Sequence, residues 1–261
     1  MQIVKSLLKK ALGVDPHSHV RPLSNLVYVG SKYHGYHVPA NFLTKNSICY
    51  CIGAGEDISF DTELKIMFDS KVFIFDPAPE GKNHFKQLVD CTAKGEQLTI
   101  GDAEPFTYRI NATQLSEITY VDKGVWDQDT VLKFYDPGIE NYASHSVELF
   151  KDSKNFIEAP VDRLKNFMKK FNHQHIDLVK MEIEGAEYTV INTIVEDKLD
   201  VKVILVEYDE VFHSKGMSYL FRIKESSDKL RKAGYVIAHS TNYFKKLFIR
   251  EDVYNQLKGK K

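Results

Sequence analysis

Acids and glycines gather at four places where apolar runs stop: Gly53-Ala54-Gly55-Glu56-Asp57, Asp76-Pro77, Glu182-Ile183-Glu184-Gly185 and Glu207-Tyr208-Asp209-Glu210. Gly53 and Gly55 have no side chain, so the backbone there can approach a ligand closely. Asp76 follows Gly53 by 23 residues, close to the ~20-residue offset at which an acid hydrogen-bonds a ribose diol. Together they point to an adenosine-containing cofactor. A dinucleotide would want a third glycine for helix–strand packing, where this chain has Ile58. Glu56 and Asp57 would also crowd a pyrophosphate seeking a helix N-terminus. That acidic loop suits a ligand with a ribose, an amino group and a sulfonium cation, such as S-adenosylmethionine.

At the third place, Lys180, Glu182 and Glu184 alternate along a strand and so share one side. Neighbouring carboxylates can raise one pKa toward that of a general base, with Lys180 tempering their repulsion. The same set could equally be a buried ion network. Glu207 and Asp209, with Glu182, could hold Mg²⁺ or another oxygen-preferring divalent metal, although nothing in the sequence demands one. His145, in the loop 142–146, is a candidate for substrate contact or for a base. His34-x-x-His37 resembles a ligand pair but lacks further ligands at fixed spacing, and reads as a surface or substrate-access loop. Cys49 and Cys51 face one way in a buried strand, as small core residues.

These residues need a frame. The pattern predicts strands at 48–52 and 72–75, with a helix between them carrying Phe60, Leu64, Met67 and Phe68 on one face. A strand is expected over 119–126 and an extended piece over 131–135, before the turn Asp136-Pro137-Gly138. Pro160 is expected to open a helix with Val161, Leu164, Met168 and Phe171 on one face. A strand at 176–181, a helix through Val190, Ile191, Ile194 and Val195, and a strand at 201–208 follow. A helix near 220–232 and a hairpin around 235–238 and 246–249 end the series. Alternating apolar strands and amphipathic helices imply an α/β chain with a mainly parallel sheet covered on both faces. Ligands of such sheets bind beyond the carboxyl ends of the strands, which is where all four acidic clusters fall.

The 261 residues carry 35 Lys and Arg against 36 Asp and Glu, a formal charge of -1, which excludes the basic footprint of nonspecific nucleic-acid binding. Three cysteines are too few and odd for a disulfide framework and suggest a reduced, cytoplasmic protein. No apolar run reaches the ~20 residues of a transmembrane helix. Residues 1–14 place Ile3, Val4, Leu7, Leu8, Ala11 and Leu12 on one helical face without the apolar core of a secretory signal. Such a helix could rest on a membrane surface or a partner, but amphipathic stripes more often dock on their own domain. Nothing in the sequence speaks to oligomeric state.

The runs Cys51-Ile-Gly-Ala-Gly-Glu-Asp-Ile-Ser-Phe60, Val72-Phe-Ile-Phe-Asp-Pro77 and Ile176-Asp-Leu-Val-Lys-Met-Glu-Ile-Glu-Gly-Ala-Glu-Tyr188 resemble the FkbM family of methyltransferases. The likeness extends over roughly residues 45–250, in order and at similar spacing. It implies a Rossmann-like class I fold with an antiparallel last strand, a methyltransferase domain over 45–261, and an N-terminal helix and extension over 1–44. It further implies S-adenosylmethionine as cofactor, with Gly53, Gly55, Glu56 and Asp57 at its methionine end, Asp76 and Pro77 at the ribose, Trp126 and Asp127 near adenine, and Glu182 beside it. Catalysis would fall to Glu182, Lys180, Asp209 and His145. The implied reaction is O-methylation of a sugar hydroxyl on a glycan or polysaccharide precursor. One departure stands out: the family commonly has Lys-x-Asp-x-Glu-Gly where this chain has Lys180-Met-Glu182-Ile-Glu184-Gly185. A nucleotide-cofactor (NAD-type) oxidoreductase and a noncatalytic cofactor-fold binding module are the rival readings. The missing third glycine opposes the first, and the acids kept at all four strand ends oppose the second.

Overall fold

The computed structural model describes residues 13–15, 18–135, 153–209, 218–241 and 244–259. The amphipathic stretch before Gly13, the turn at 136–138 and His145 lie outside them.

A hairpin of β1 (Leu26–Val29) and β2 (Tyr36–Pro39) precedes the regular part of the chain. Then come β3 (Ile48–Ile52), α1 (Ser59–Phe68), β4 (Lys71–Phe75) and α2 (Pro79–Ala93). A small pair, β5 (Thr99–Ile100) and β6 (Phe106–Thr107), and the short α3 (Ala112–Ser116) lead to β7 (Thr119–Val121). β8 (Gly124–Trp126), β9 (Thr130–Tyr135) and β10 (Phe156–Arg163) form a separate sheet in the order β8-β10-β9. α4 (Leu164–Lys170), β11 (Ile176–Met181), α5 (Glu187–Glu196), β12 (Val201–Glu207), α6 (Ser218–Lys232), β13 (Tyr235–Thr241), β14 (Lys245–Arg250) and α7 (Glu251–Gly259) complete it.

The central sheet has seven strands in the order β13-β14-β12-β11-β3-β4-β7. β12, β11, β3, β4 and β7 are mutually parallel, and β14 runs antiparallel to both its neighbours. Its inner strands are apolar on both sides because both sides are covered. Cys49, Cys51, Leu178 and Leu205 pack with Phe60 and Leu64 of α1, Leu88 of α2 and Tyr254 of α7. Tyr50, Ile52, Val179 and Ile204 pack with Phe167 of α4, Ile191 of α5 and Leu230 of α6. Val29, Tyr36 and Val38 join the first of these clusters, so the β1–β2 hairpin shares the domain's core.

Three expectations need correction. The predicted strand over 119–126 is two strands in different sheets, because the chain turns at Asp122-Lys123. Pro160 does not open a helix: it lies inside β10 opposite Val131, and α4 begins at Leu164. A proline without an N–H is tolerated there because β8 meets β10 only from Val161 onward, leaving one side unpaired at residue 160. Met67, assigned to the apolar face of α1, is among the exposed large side chains.

Candidate active site

A crevice of about 980 Å³ opens beyond the carboxyl ends of β3, β4, β11 and β12. Its floor is the glycine loop. Gly53 has φ +88, and a Cβ there would fall 1.9 Å from the Glu182 carbonyl oxygen, so glycine is what lets the ends of β3 and β11 touch. At Gly55 a Cβ would meet nothing within 4 Å, since that position faces the crevice. The loop is fixed from the side by Asp76. Its Oδ2 accepts the Ala54 and Gly55 N–H groups at 2.8 and 3.0 Å, and its Oδ1 accepts that of Ala78 at 2.8 Å. A carboxylate offers about four lone-pair sites, so Asp76 keeps capacity for one further donor. Burial pushes its pKa up, against those three amides.

Asp57 is also committed: Oδ1 accepts the Ser59 N–H at 2.8 Å and Oδ2 the Ser31 hydroxyl at 2.7 Å. It binds the first N–H of α1 from the turn before the helix and ties that turn to the β1–β2 loop. Glu56 is exposed at the crevice mouth. Pro77, Phe75, Trp126 and Phe134 give the crevice an apolar wall. Asp127 is not brought to it. The residue is exposed beyond the end of β8, and its carbonyl accepts Arg163 Nη1 at 2.8 Å.

The opposite wall is polar. Lys180 is buried and donates to the Gly53 carbonyl at 2.7 Å, with Glu182 Oε2 3.2 Å away. Burial opposes its charge, but Glu182 and Asp61 outweigh that and raise its pKa. Glu182 is held in turn by His34, whose Nδ1 lies 2.7 Å from Oε1, and by the Tyr36 hydroxyl at 3.2 Å from Oε2. Burial disfavours the Glu182 anion, yet Lys180 and His34 win and hold its pKa well below the usual carboxylate range. Tyr36 also donates to Glu207 Oε2 at 3.3 Å, and Lys245 lies 2.8 Å from the same oxygen. Burial and the charge of Glu182 raise the Glu207 pKa. Burial, with Glu187 and Glu184 beside it, raises that of Asp209 well above its ordinary value.

Lys180, Glu182 and Asp209 therefore line one crevice together. Glu184 does not continue the alternation. β11 ends at Met181, and Glu184 adopts a left-handed conformation with φ +53, its N–H donating to Asp209 Oδ2 at 3.2 Å. The free N–H groups of this turn go instead to Glu187, whose Oε1 accepts from Ile183 at 2.9 Å and whose Oε2 accepts from Gly185 at 3.1 Å. Sequence reasoning missed His34 and Lys245 in the wall and Tyr36 behind it. The ring-rich run Tyr33-His34-Gly35-Tyr36-His37 was their only local signal. His37 turns away and packs its ring 4.3 Å from that of His239. Among the described residues, no group of three or more His, Cys, Asp or Glu side chains is arranged to hold a metal ion.

The sequence matches the methyltransferase FkbM domain over residues 43–237. The chain belongs to the FkbM methyltransferase family. Its architecture is the Rossmann-like class I methyltransferase fold, and S-adenosylmethionine is the cofactor that goes with it. Among solved structures it is similar to methyltransferase FkbM from Methylobacillus flagellatus KT, at 14% identity and a TM-score of 0.47, over 94% of this chain and 52% of that one. The chain thus spans about half the length of that relative. It is also similar to the fibrillarin pre-rRNA processing protein of Methanococcus jannaschii, at 11% identity and TM-score 0.43, over 88% and 85% of the two chains. A third is M. jannaschii TYW2 in complex with AdoMet, at 10% identity and TM-score 0.34, over 88% and 89%. No curated protein matches the sequence.

The crevice fits that cofactor on its own chemistry. The open face at Gly55 admits a ligand, Asp76 retains one acceptor site for a ribose hydroxyl, and Trp126 and Phe75 offer apolar surface to a purine. No described helix is long and apolar enough to cross a membrane.

Proposed function

We propose that the FkbM chain is an S-adenosylmethionine-dependent O-methyltransferase acting on a sugar hydroxyl of a glycan or polysaccharide precursor. The observation that carries this reading is the polar wall of Glu182, Glu207, Asp209 and Lys245, backed by the buried Tyr36 hydroxyl, in a crevice otherwise lined by apolar side chains. An acceptor rich in hydroxyls can both donate to and accept from such a wall, whereas an apolar acceptor would strip water from these charged groups without replacing its hydrogen bonds. When bound, the cofactor supplies an electrophilic methyl group on a sulfonium sulfur.

In this reading Gly53, Gly55 and Asp76 seat the cofactor, with Glu56 and Asp57 keeping its methionine end in a negative field. Trp126 and Pro77 border its nucleoside. Asp127, exposed and away from the crevice, takes no part. Lys180 locks Glu182 at the strand end, in the acceptor half of the crevice. Glu182 acts there as a fixed anion, because a carboxylate held so acidic is a weak proton acceptor. Glu207, held by Tyr36 and Lys245, and Asp209, which takes the Glu184 N–H, present acceptor oxygens to the hydroxyls of a sugar. His145 lies outside the described residues and keeps its sequence-level role as an acceptor contact. In this reading the segment before residue 45 belongs functionally to the domain, since its hairpin sets His34 and Tyr36 against Glu182. Free thiols at Cys49, Cys51 and Cys91 accord with a cytoplasmic location.

Incubation with isotopically labelled cofactor and glycan acceptors, followed by mass spectrometry, tests the proposal. A labelled methyl group on a sugar oxygen is expected. Label confined to amines or to non-sugar acceptors would sink it.

A further inference from the structure

We infer that His34 is the general base of the transfer, taking the acceptor proton at Nε2, and that Glu182 is the residue that positions it. The inference rests on the O-methyl-transfer reading above. It begins from one contact: His34 Nδ1 lies 2.7 Å from Glu182 Oε1, at the edge of the crevice both residues line. Glu182 is kept ionised by Lys180, 3.2 Å from its other oxygen. An ionised carboxylate only accepts hydrogen bonds, so the Nδ1 atom must carry the ring proton. In the neutral imidazole the lone pair then sits on Nε2, which makes no hydrogen bond to the described residues. The side chain is 48% exposed and lines the crevice, so an incoming acceptor can reach the ring. A carboxylate that fixes tautomer and ring orientation, and stabilises the imidazolium when it forms, is the logic of an oriented histidine base.

The loop holding His34 is anchored for this purpose. Its N–H donates to Ser31 Oγ at 3.2 Å, and that hydroxyl is bound to Asp57 at 2.7 Å, beside the cofactor loop. In the step, the acceptor O–H bond breaks and its proton goes to Nε2 while an oxygen lone pair forms the new bond to the methyl carbon. The carbon–sulfur bond breaks with its electron pair staying on sulfur, which loses its positive charge. The charge passes to the imidazolium, opposite Glu182, and the proton then leaves to water. The charged groups around the ring are Glu182, Asp57 and Glu207 on the acidic side and Lys180 on the basic side, with the Tyr36 hydroxyl and Lys245 behind them. Burial lowers the His34 pKa, but Glu182 and Asp57 outweigh it and leave it above 6.5.

Nitrogen-detected NMR of histidine-labelled protein, without ligand, tests the arrangement directly. His34 should show the Nδ1–H tautomer when neutral and titrate above 6.5, and Glu182→Gln should move that titration to lower pH. An Nε2–H tautomer, or a titration indifferent to Glu182→Gln, overturns the assignment whatever the acceptor proves to be. With an acceptor labelled by the wild type, His34→Gln and His34→Ala should cut kcat by ~10²-fold or more while S-adenosylmethionine still raises Tm. The acidic limb of the wild-type rate profile should shift to lower pH in Glu182→Gln. Normal turnover by both His34 variants defeats the base assignment alone. A wild type that labels amines but no hydroxyl defeats the function reading and this inference together.

Discussion

Asp76 shows how a single side chain can hold two jobs that sequence alone does not separate. Its position predicts a ribose partner, yet three of its lone-pair sites already bind the amides of residues 54, 55 and 78. Asp76→Ala therefore removes the brace of the glycine loop as well as a ligand contact. We expect a stability loss of about 1–3 kcal/mol, from buried donors left unmatched, together with at least tenfold weaker cofactor binding. Denaturant unfolding and calorimetric titration read the two effects separately; weaker binding with unchanged stability would restore the simpler ligand-only role. Glu187 carries a second prediction. Burial pushes its pKa up to about 8, despite the N–H groups it accepts. The folded chain then binds a proton that the unfolded chain has released, so this residue's contribution is full below an ordinary glutamate pKa of 4.5 and is lost as pH rises through about 8. Unfolding midpoints should fall across that window in the wild type and flatten in Glu187→Gln, whose amide oxygen can still accept an N–H. An equally steep decline in the variant would assign the dependence to another group.

The element that most changes the reading of the site is the β1–β2 hairpin. It sets His34 and Tyr36 against Glu182 through a tight loop in which a Cβ on Gly35 would lie 2.5 Å from the Ser31 carbonyl and 2.6 Å from the Tyr28 ring. Gly35→Ala must push that loop outward, at about 1–3 kcal/mol for overpacking. It should lower kcat about tenfold or more and leave the cofactor Kd nearly unchanged, because the glycine loop is braced independently by Asp76; a changed Kd with an intact kcat would contradict this division. The parallel strands, by contrast, were legible. Runs such as Val72-Phe-Ile-Phe75 are apolar throughout because both faces are covered, and Asp76-Pro77 and Gly185 mark their ends. The hairpin was not, because Leu26–Val29 and Tyr36–Pro39 are only four residues each, and the site groups that His34 and Tyr36 meet lie far along the chain. His34 meets Glu182 across 148 positions, and no local pattern encodes such a contact. Helix α2 escaped for a different reason: only Gly81, His84 and Leu88 are buried along its fifteen residues, too sparse an apolar stripe to register.

At the scale of the molecule, near-neutral net charge conceals a strongly uneven distribution. Glu56, Asp57, Asp76, Glu182, Glu207 and Asp209 all border one crevice, against Lys180 and Lys245. The field there should favour the cationic sulfonium cofactor over its neutral thioether product, which helps the product leave. Titrations of both ligands at rising salt should show the preference shrinking; equal affinities at every salt concentration would remove the electrostatic account. A thermal shift comparison should rank S-adenosylmethionine and its thioether product as stabilisers and NAD as inert, by mass action.

The antiparallel β14, wedged between β12 and β13, also sets a timetable. Because it runs backward, its first residue, Lys245, arrives beside Glu207 at the carboxyl edge of the sheet. A ribosome delivers the glycine loop and Asp76 well before this strand, so the nascent chain can build its nucleotide half ahead of its acceptor half. Until β14 inserts, β12 presents the bare backbone of an apolar strand as an open edge. Synthesis stalled short of Lys245 would therefore yield a chain with a nearly finished cofactor seat and an adhesive flank. Such a species should be drawn to chaperones or to aggregates.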